Sequence, residues 1–187
     1  SHFCSHLIQY LYELFDARFI HLFRDGREFV RSGLERENWY QQKKSPYSLI
    51  KKIIRRHYLI DIGDPWEDHR LKPPRIFKSR IEKTAWLWSE INEIIISSLE
   101  KLPTNYSIAI QLENISKTSF YSLVNFISDK EPDNEMIQKM FDISASKPNK
   151  TDARNIESFS KWNYDDKSKF WQIAGATMLK LGYSKDF

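Results

Sequence analysis

The segment from residue 18 to residue 36 constrains the fold most, because its hydrophobic pattern changes from that of a strand to that of a helix. A short apolar run, Phe19–Phe23, leads to Arg24 and then to Asp25-Gly26. Four residues after this turn recur at helical spacing and predict a core-facing stripe: Phe29, Val30, Gly33 and Leu34. Asp25 followed by Glu28 has the spacing of a capping box. We therefore predict a strand that ends at Arg24 and a helix that starts at Asp25.

This arrangement makes Arg24 a candidate ligand-binding residue. In open α/β sheets, ligands bind outside the carboxyl ends of the strands, which is where the prediction places Arg24. A guanidinium at that edge can hold a phosphate through two parallel hydrogen bonds. Ser32 lies about two helical turns further on and can offer a hydroxyl group from the side. The alternative is an ordinary strand–helix unit whose arginines are only solvated.

Composition limits the classes of protein that the chain can belong to. It has 187 residues, which suits one domain spanning 1–187, and 41% are hydrophobic and 14% aromatic, enough for a buried core. The formal net charge of +4 favours an anionic ligand, but the dense Lys/Arg stripe of a nucleic-acid-binding protein is missing. The single cysteine, Cys4, fits a reducing compartment, and we expect a cytoplasmic protein. No apolar run in the sequence is long enough to cross a membrane.

The rest of the chain alternates helical and strand patterns, which favours an α/β layer fold with a parallel sheet. A second strand is predicted at 107–110, followed by turn residues. The predicted helices cover 7–15, 25–38, a short stretch after Ser45-Pro46, 77–102, 120–127, 132–141 and 165–181. Residues 57–74 and 142–160 are predicted to be loops. Two strands are few for such a fold, so the sheet looks incomplete.

An Arg at a strand end followed eight positions later by a Ser resembles the 3′-phosphate-binding segment of sulfotransferases, enzymes that use 3′-phosphoadenosine 5′-phosphosulfate (PAPS). The order of the later elements is similar too. A long helix carries Trp86 and Trp88, and the next strand is followed by Glu113, although Leu112 and Asn114 replace the family's usual Tyr and Asp. The chain closes with Trp162 and Leu181-Gly182-Tyr183, also like the family. The resemblance implies a P-loop-like three-layer fold with a central, mainly parallel sheet flanked by helices.

The resemblance also implies roles for individual residues. Arg24 and Ser32 would bind the 3′-phosphate of PAPS, or of its desulfated product 3′-phosphoadenosine 5′-phosphate (PAP). Arg154 and Lys161 lie in the loop before Trp162 and are candidate secondary contacts, unless that loop is simply polar and mobile. Residues 39–75 would form the variable, acceptor-side region. The basic residues there, Lys51, Lys52, Arg55 and Arg56, hint at an anionic acceptor such as a carbohydrate, or form a solvated helix face.

The start of the family pattern is not matched. Sulfotransferases begin with a strand and a Lys-containing loop that cradles the 5′-phosphosulfate, and no glycine-rich loop precedes residue 18. The family's general base would also lie upstream, so no catalytic residue is assigned. We therefore expect this chain to be the carboxy-terminal part of a longer domain and to be inactive alone.

Two alternative functions compete with the one that the resemblance implies. Another P-loop-type phosphotransferase, such as a nucleotide or sugar kinase, would need a Walker-type loop and a Mg²⁺-binding carboxylate, and neither is evident. A non-catalytic module could instead bind polyanions through residues 51–56. No metal site is expected, because Asp64, Glu67, Asp68 and His69 lack a recognisable ligand spacing. His21, inside the first strand, is expected to be a hydrogen-bonded core histidine.

Overall fold

Two parallel strands form the sheet of the computed structural model, which describes residues 2–35, 77, 79–128, 131–146 and 157–185. Strand β1 spans Phe19–Phe23 and strand β2 spans Ser107–Gln111. Their register pairs Phe19 with Ser107 and Phe23 with Gln111, so both strands end at the same edge of the sheet. Over the described residues the protein is a mixed α/β fold, mostly helical, with a small two-stranded parallel sheet.

Six α-helices accompany this sheet within the described ranges. They are α1 (Ile8–Phe15), α2 (Gly26–Glu35), α3 (Arg80–Leu99), α4 (Lys117–Ile127), α5 (Asn134–Ala145) and α6 (Tyr164–Lys180). Three short 3₁₀ turns, Thr104–Tyr106, Leu112–Asn114 and Phe159–Lys161, connect them, and another, His2–Leu7, precedes α1. The short helix predicted after Ser45-Pro46, the basic residues 51–56, residues 64–69 and Arg154 lie outside the described residues.

The strand and helix predicted around residue 24 are confirmed. Asp25 occupies the N-cap position of α2: its carboxylate accepts the backbone N–H of Arg27 at 2.7 Å, and its carbonyl accepts that of Phe29 at 3.0 Å. The predicted core-facing stripe is also confirmed, because Val30 and Gly33 are buried while Phe29 and Leu34 pack against the core. Burial of this stripe holds α2 against the rest of the domain.

The core lies between α2, α3, α6 and the turn Phe159–Lys161. Its buried members are Val30, Ala85, Trp88, Phe159, Phe170, Trp171, Ala174, Met178 and Tyr183. The long helix α3 starts at an N-cap, Ser79, whose hydroxyl accepts the backbone N–H of Glu82 at 3.2 Å. The end of α6 is set by Gly182, whose φ of +84° is a left-handed conformation that favours glycine. Consequently the next residue, Tyr183, turns back into the core, and its N–H bonds the Met178 carbonyl at 2.9 Å.

Within the described residues, the largest differences between the predicted and the observed helix boundaries lie in α3, α4 and α5. The long helix covers Arg80–Leu99 instead of 77–102. Helix α4 starts earlier than predicted, at Lys117, because Ser116 and Ser119 form a reciprocal capping box. The loop predicted from residue 142 is wrong at its start, since α5 continues to Ala145 and the Gln138 side chain bonds that of Asp142 one turn later at 2.7 Å.

Candidate functional site

The two parallel strands deliver Asp25 and Glu113 to the same edge of the sheet. The backbone N–H of Asp25 donates to the Glu113 carboxylate (Oε1) at 2.8 Å. The other oxygen of Glu113 (Oε2) accepts the phenol O–H of Tyr183 at 3.0 Å. Burial, together with the nearby negative charge of Glu113, raises the pKa of Tyr183 above its ordinary value. Glu113 therefore joins the end of β2, the start of α2 and the turn after α6.

The capping box predicted between Asp25 and Glu28 is wrong, because Glu28 does not accept the backbone N–H of Asp25. The Asp25 N–H, which Glu28 would accept in a capping box, bonds Glu113 instead. The carboxylate of Glu28 bonds the Arg31 guanidinium at 2.7 Å. The carboxylate of Asp25 keeps its capping role at the backbone N–H of Arg27.

A chain of hydrogen bonds from the core supports the backbone of Arg24. The indole N–H of Trp88 donates to the Arg24 carbonyl at 3.1 Å. The Asn92 side-chain amide donates to the Trp88 carbonyl at 2.7 Å, and its oxygen lies 3.0 Å from Nε2 of His21. Because that amide oxygen can only accept, Nε2 of His21 carries the proton. The backbone of Arg24 is thus supported by two residues of α3, directly by Trp88 and indirectly by Asn92.

His21 has the structural role predicted from its place in the strand. It is buried, and burial lowers the pKa of its imidazole despite the hydrogen bond to Asn92. A neutral imidazole donating to an amide oxygen satisfies the polar requirement of the core. Trp88 is a packing residue of the core as well, since it is almost completely buried.

The side chain of Arg24 is available to a ligand. It is 40% exposed, and its one recorded ion pair in the described part of the chain is with Glu28, at 4.0 Å. Ser32 follows on α2 and is half-buried, and its hydroxyl has no hydrogen-bond partner among the described residues. Arg24, Glu28 and Ser32 are spaced four residues apart, so they share one face of the strand–helix unit.

Asp25 and Arg27 form a tight ion pair beside this face. The guanidinium of Arg27 bonds both carboxylate oxygens of Asp25, at distances from 2.6 to 3.0 Å, and both side chains are only 14% exposed. The guanidinium also lies 5.7 Å from the ring centre of Phe159, within the range of a cation–π contact. The charge of Arg27 is therefore largely neutralised, which leaves Arg24 as the more available cation.

A cleft of about 380 Å³ opens next to these residues, between the first turn of α2 and the turn Phe159–Lys161. Its walls are Asp25, Arg27, Glu28, Ser158, Phe159, Ser160 and Lys167. Lys167 donates to the Ser160 carbonyl at 2.9 Å and lies 5.8 Å from the Phe159 ring centre. The Ser158 and Ser160 hydroxyls lie 2.8 Å apart. Two carboxylates, Asp25 and Glu28, and two cations, Arg27 and Lys167, line this cleft together with the two hydroxyl groups. Since Arg27 is paired with Asp25, the Lys167 ammonium and the hydroxyls are the groups of the lining that suit an anionic ligand.

The structure describes three of the four residues predicted to bind the cofactor. Arg24 and Ser32 lie on one face of β1 and α2, and Lys161 is exposed in the turn that borders the cleft, although it does not line the cleft itself. Arg154 lies outside the described residues. The sequence did not identify Glu28, Arg31 or Lys167 as residues of the candidate site. The spacing of Arg24, Glu28 and Arg31 is the signal that predicts an ion-pair series on one helix face.

No protein-family model, curated protein or solved structure matches the chain. Within the described residues, no cluster of three or more His, Cys, Asp or Glu side chains could hold a metal ion. The helices that the structure describes include none with the length and apolar character to span a bilayer.

Proposed function

We propose that the protein is a sulfotransferase domain that binds PAPS through its 3′-phosphate and transfers the sulfuryl group to an acceptor hydroxyl or amine. The observation that carries this proposal is Arg24. It lies directly after a parallel strand, its backbone is fixed by Trp88, and its guanidinium is partly exposed with no hydrogen bond inside the described part of the chain. An arginine held in this way suits a phosphate at the carboxyl end of the sheet.

The residues around Arg24 fit the 3′-phosphate of the cofactor. Ser32 adds a hydroxyl on the same face, Lys167 adds positive charge in the wall of the cleft, and Lys161 is exposed in the neighbouring turn. In the proposed complex, Arg24 and Ser32 bind and orient the donor, and Arg154 and Lys161 make secondary contacts. The full domain would have a P-loop-like three-layer fold, in which helices flank a mainly parallel sheet of more than two strands.

The proposed reaction follows from this orientation. PAPS supplies the activated sulfuryl group. The acceptor oxygen or nitrogen forms a bond to sulfur while the bond between sulfur and the 5′-phosphate oxygen breaks, and PAP leaves. A general base takes the acceptor proton, and positive groups stabilise the charge that develops on the leaving oxygen. The described residues contribute binding and orientation of the 3′-phosphate, and no residue is assigned as the base.

Calorimetric titration of the chain with PAP and with 5′-AMP tests the proposal. The two nucleotides differ only in the 3′-phosphate, so we expect binding of PAP and much weaker binding of 5′-AMP. Equal affinities would show that the 3′-phosphate is not recognised and would contradict the proposal. A preference for ATP with Mg²⁺ would instead support a kinase-like phosphotransferase, and salt-sensitive binding of a polyanion such as heparin without a PAP response would support a polyanion-binding module.

A further inference from the structure

Glu28 holds a position between two arginines of the candidate site. The same carboxylate oxygen, Oε2, lies 2.7 Å from Nη2 of Arg31 and 4.0 Å from Nη2 of Arg24. One anionic oxygen therefore faces two guanidinium groups on one side of α2. Carboxylate and phosphate oxygens accept the same hydrogen bonds from a guanidinium. In its negative charge and its hydrogen-bond acceptors, the Glu28 carboxylate resembles a phosphate bound between the two guanidinium groups.

The three side chains are accessible enough to exchange partners. The exposed fractions are 40% for Arg24, 36% for Glu28 and 26% for Arg31. Glu28 also lines the cleft beside α2, so it can rotate toward solvent without leaving a buried position. Such partly exposed ion pairs are weak, about 0–1 kcal/mol each. A phosphate monoester, with a charge of roughly −1.5 to −2 at neutral pH, can therefore compete with Glu28.

Arg31 has donor capacity that the described residues do not use. Glu28 is its one recorded hydrogen-bond partner within the described residues, and the buried Nε of Arg31 makes no hydrogen bond. When Glu28 moves away, the Arg31 guanidinium loses this partner. An incoming phosphate would supply the replacement acceptor.

We infer that Glu28 is an internal competitor for the anion, and that the ligand phosphate displaces it and is then bound by Arg31 as well as Arg24. This inference rests on the proposed function, since it takes the 3′-phosphate of the nucleotide as the anion. Glu28 thereby sets the affinity of the site, because its charge has to be moved or repelled before the phosphate enters. Arg31 becomes a specificity-determining residue in addition to Arg24 and Ser32.

The test is calorimetric titration of the full chain and its variants with PAP and 5′-AMP at low ionic strength. In Glu28→Gln, which keeps the size of the side chain but removes its charge, we expect PAP to bind about two- to fivefold more tightly than in the parent. Arg31→Gln should bind PAP more weakly, and Arg31→Lys should recover part of the loss. The gain in PAP affinity of Glu28→Gln over the parent should become smaller as salt is added, because salt screens exposed charges.

The matched control is Glu135→Gln, which removes one carboxylate from an exposed position in the first turn of α5. It should leave PAP affinity unchanged, which separates a local effect of Glu28 from the effect of net charge. Thermal melting of each variant checks that the fold is retained. If the parent binds PAP and Glu28→Gln binds it equally or more weakly, the inference is overturned while the proposed function stands.

Failure of the proposed function gives a different pattern. If neither the folded parent nor folded Glu28→Gln binds PAP, both the proposed function and the inference are contradicted. Binding by Glu28→Gln where the parent shows none would support the competitor role directly. Equal gains for PAP and 5′-AMP in Glu28→Gln would overturn the assignment of the 3′-phosphate as the displacing group.

Discussion

The indole N–H of Trp88 donates a hydrogen bond to the backbone carbonyl of Arg24 at 3.1 Å. This contact joins the middle of α3 to the end of β1, and it fixes the backbone of the residue that we propose to bind phosphate. It also gives Trp88 a role beyond packing. A smaller aromatic ring can fill part of the core, but only the indole carries an N–H at this distance.

Replacing Trp88 by Phe should destabilise the protein and weaken the site together. Loss of the hydrogen bond leaves the Arg24 carbonyl without this donor, and the expected cost is about 1–3 kcal/mol in the free energy of unfolding. Denaturant titration measures this cost. Trp86→Phe is the matched control, because Trp86 is only half-buried on the same helix and should cost less. Equal stability losses at the two positions would contradict the role given to the Trp88 indole.

Gly26→Ala should destabilise the protein through a steric clash. A Cβ atom at residue 26 would lie 2.9 Å from Cε3 and 3.0 Å from Cδ2 of Trp88, and 3.1 Å from Sδ of Met178. The Trp88 ring is buried and hydrogen-bonded, so it cannot move aside freely. We expect a loss of about 1–3 kcal/mol, measured by denaturant unfolding, as for other overpacked cores.

Gly182→Ala provides the contrast for Gly26→Ala. No atom lies within 4 Å of a Cβ built at residue 182, but the backbone φ is +84°. The expected cost is therefore about 1–2 kcal/mol of conformational strain with no clash. A Gly26→Ala protein as stable as the parent would show that the packing of α2 against Trp88 is looser than described.

Glu113 should contribute to stability and to PAP binding through its two hydrogen bonds more than through its charge. Glu113→Ala removes the acceptor of both the Asp25 N–H and the Tyr183 O–H, and we expect a loss of about 1–3 kcal/mol in stability together with weaker PAP binding. Glu113→Gln should be milder, since an amide oxygen can accept from Asp25 while the amide nitrogen donates to the Tyr183 oxygen. Chemical denaturation and PAP titration of the two variants provide the comparison. If Gln and Ala were equally harmful, the charge of Glu113 would be the property that matters.

His21 should make stability depend on pH in the acidic range. Burial lowers the pKa of His21 in the folded protein, so the unfolded chain binds more protons as the pH falls below about 6.5. Stability from this residue is therefore present above pH 6.5 and is lost on acidification through the folded-state pKa. His21→Gln should show a shallower decline in unfolding free energy between pH 7 and pH 5. The parent and the variant should have parallel pH profiles above pH 7, and parallel profiles below it as well would contradict this assignment.

Local sequence signals were sufficient to predict strand β1 and the buried face of helix α2. The apolar run forms a strand that ends at Phe23, one residue before the predicted end at Arg24, and the spacing of Val30 and Gly33 correctly identified the buried face of α2. Both features depend on neighbours within a few residues, and the period of the hydrophobic pattern reports them directly.

The partners that complete the site are distant in sequence, and a local pattern cannot identify them. The capping-box rule paired Asp25 with Glu28, but the acceptor of the Asp25 N–H is Glu113, which the parallel pairing of β1 and β2 places at the same edge. Glu28 is consequently available to pair with Arg31. The position of the turn Phe159–Lys161 against α2 likewise depends on tertiary packing around Phe159.

The most direct test of the account measures what Arg24 contributes to recognition of the 3′-phosphate. PAP affinity is measured by calorimetry for the parent, for Arg24→Ala and for Arg18→Ala, a control that removes an arginine before the amino end of β1, where it bonds the Phe126 carbonyl. The account predicts that Arg24→Ala loses about 2–4 kcal/mol of PAP binding, roughly 30- to 700-fold in Kd. Arg18→Ala should bind PAP like the parent. An Arg24→Ala protein that is folded and binds PAP as tightly as the parent would contradict the central claim.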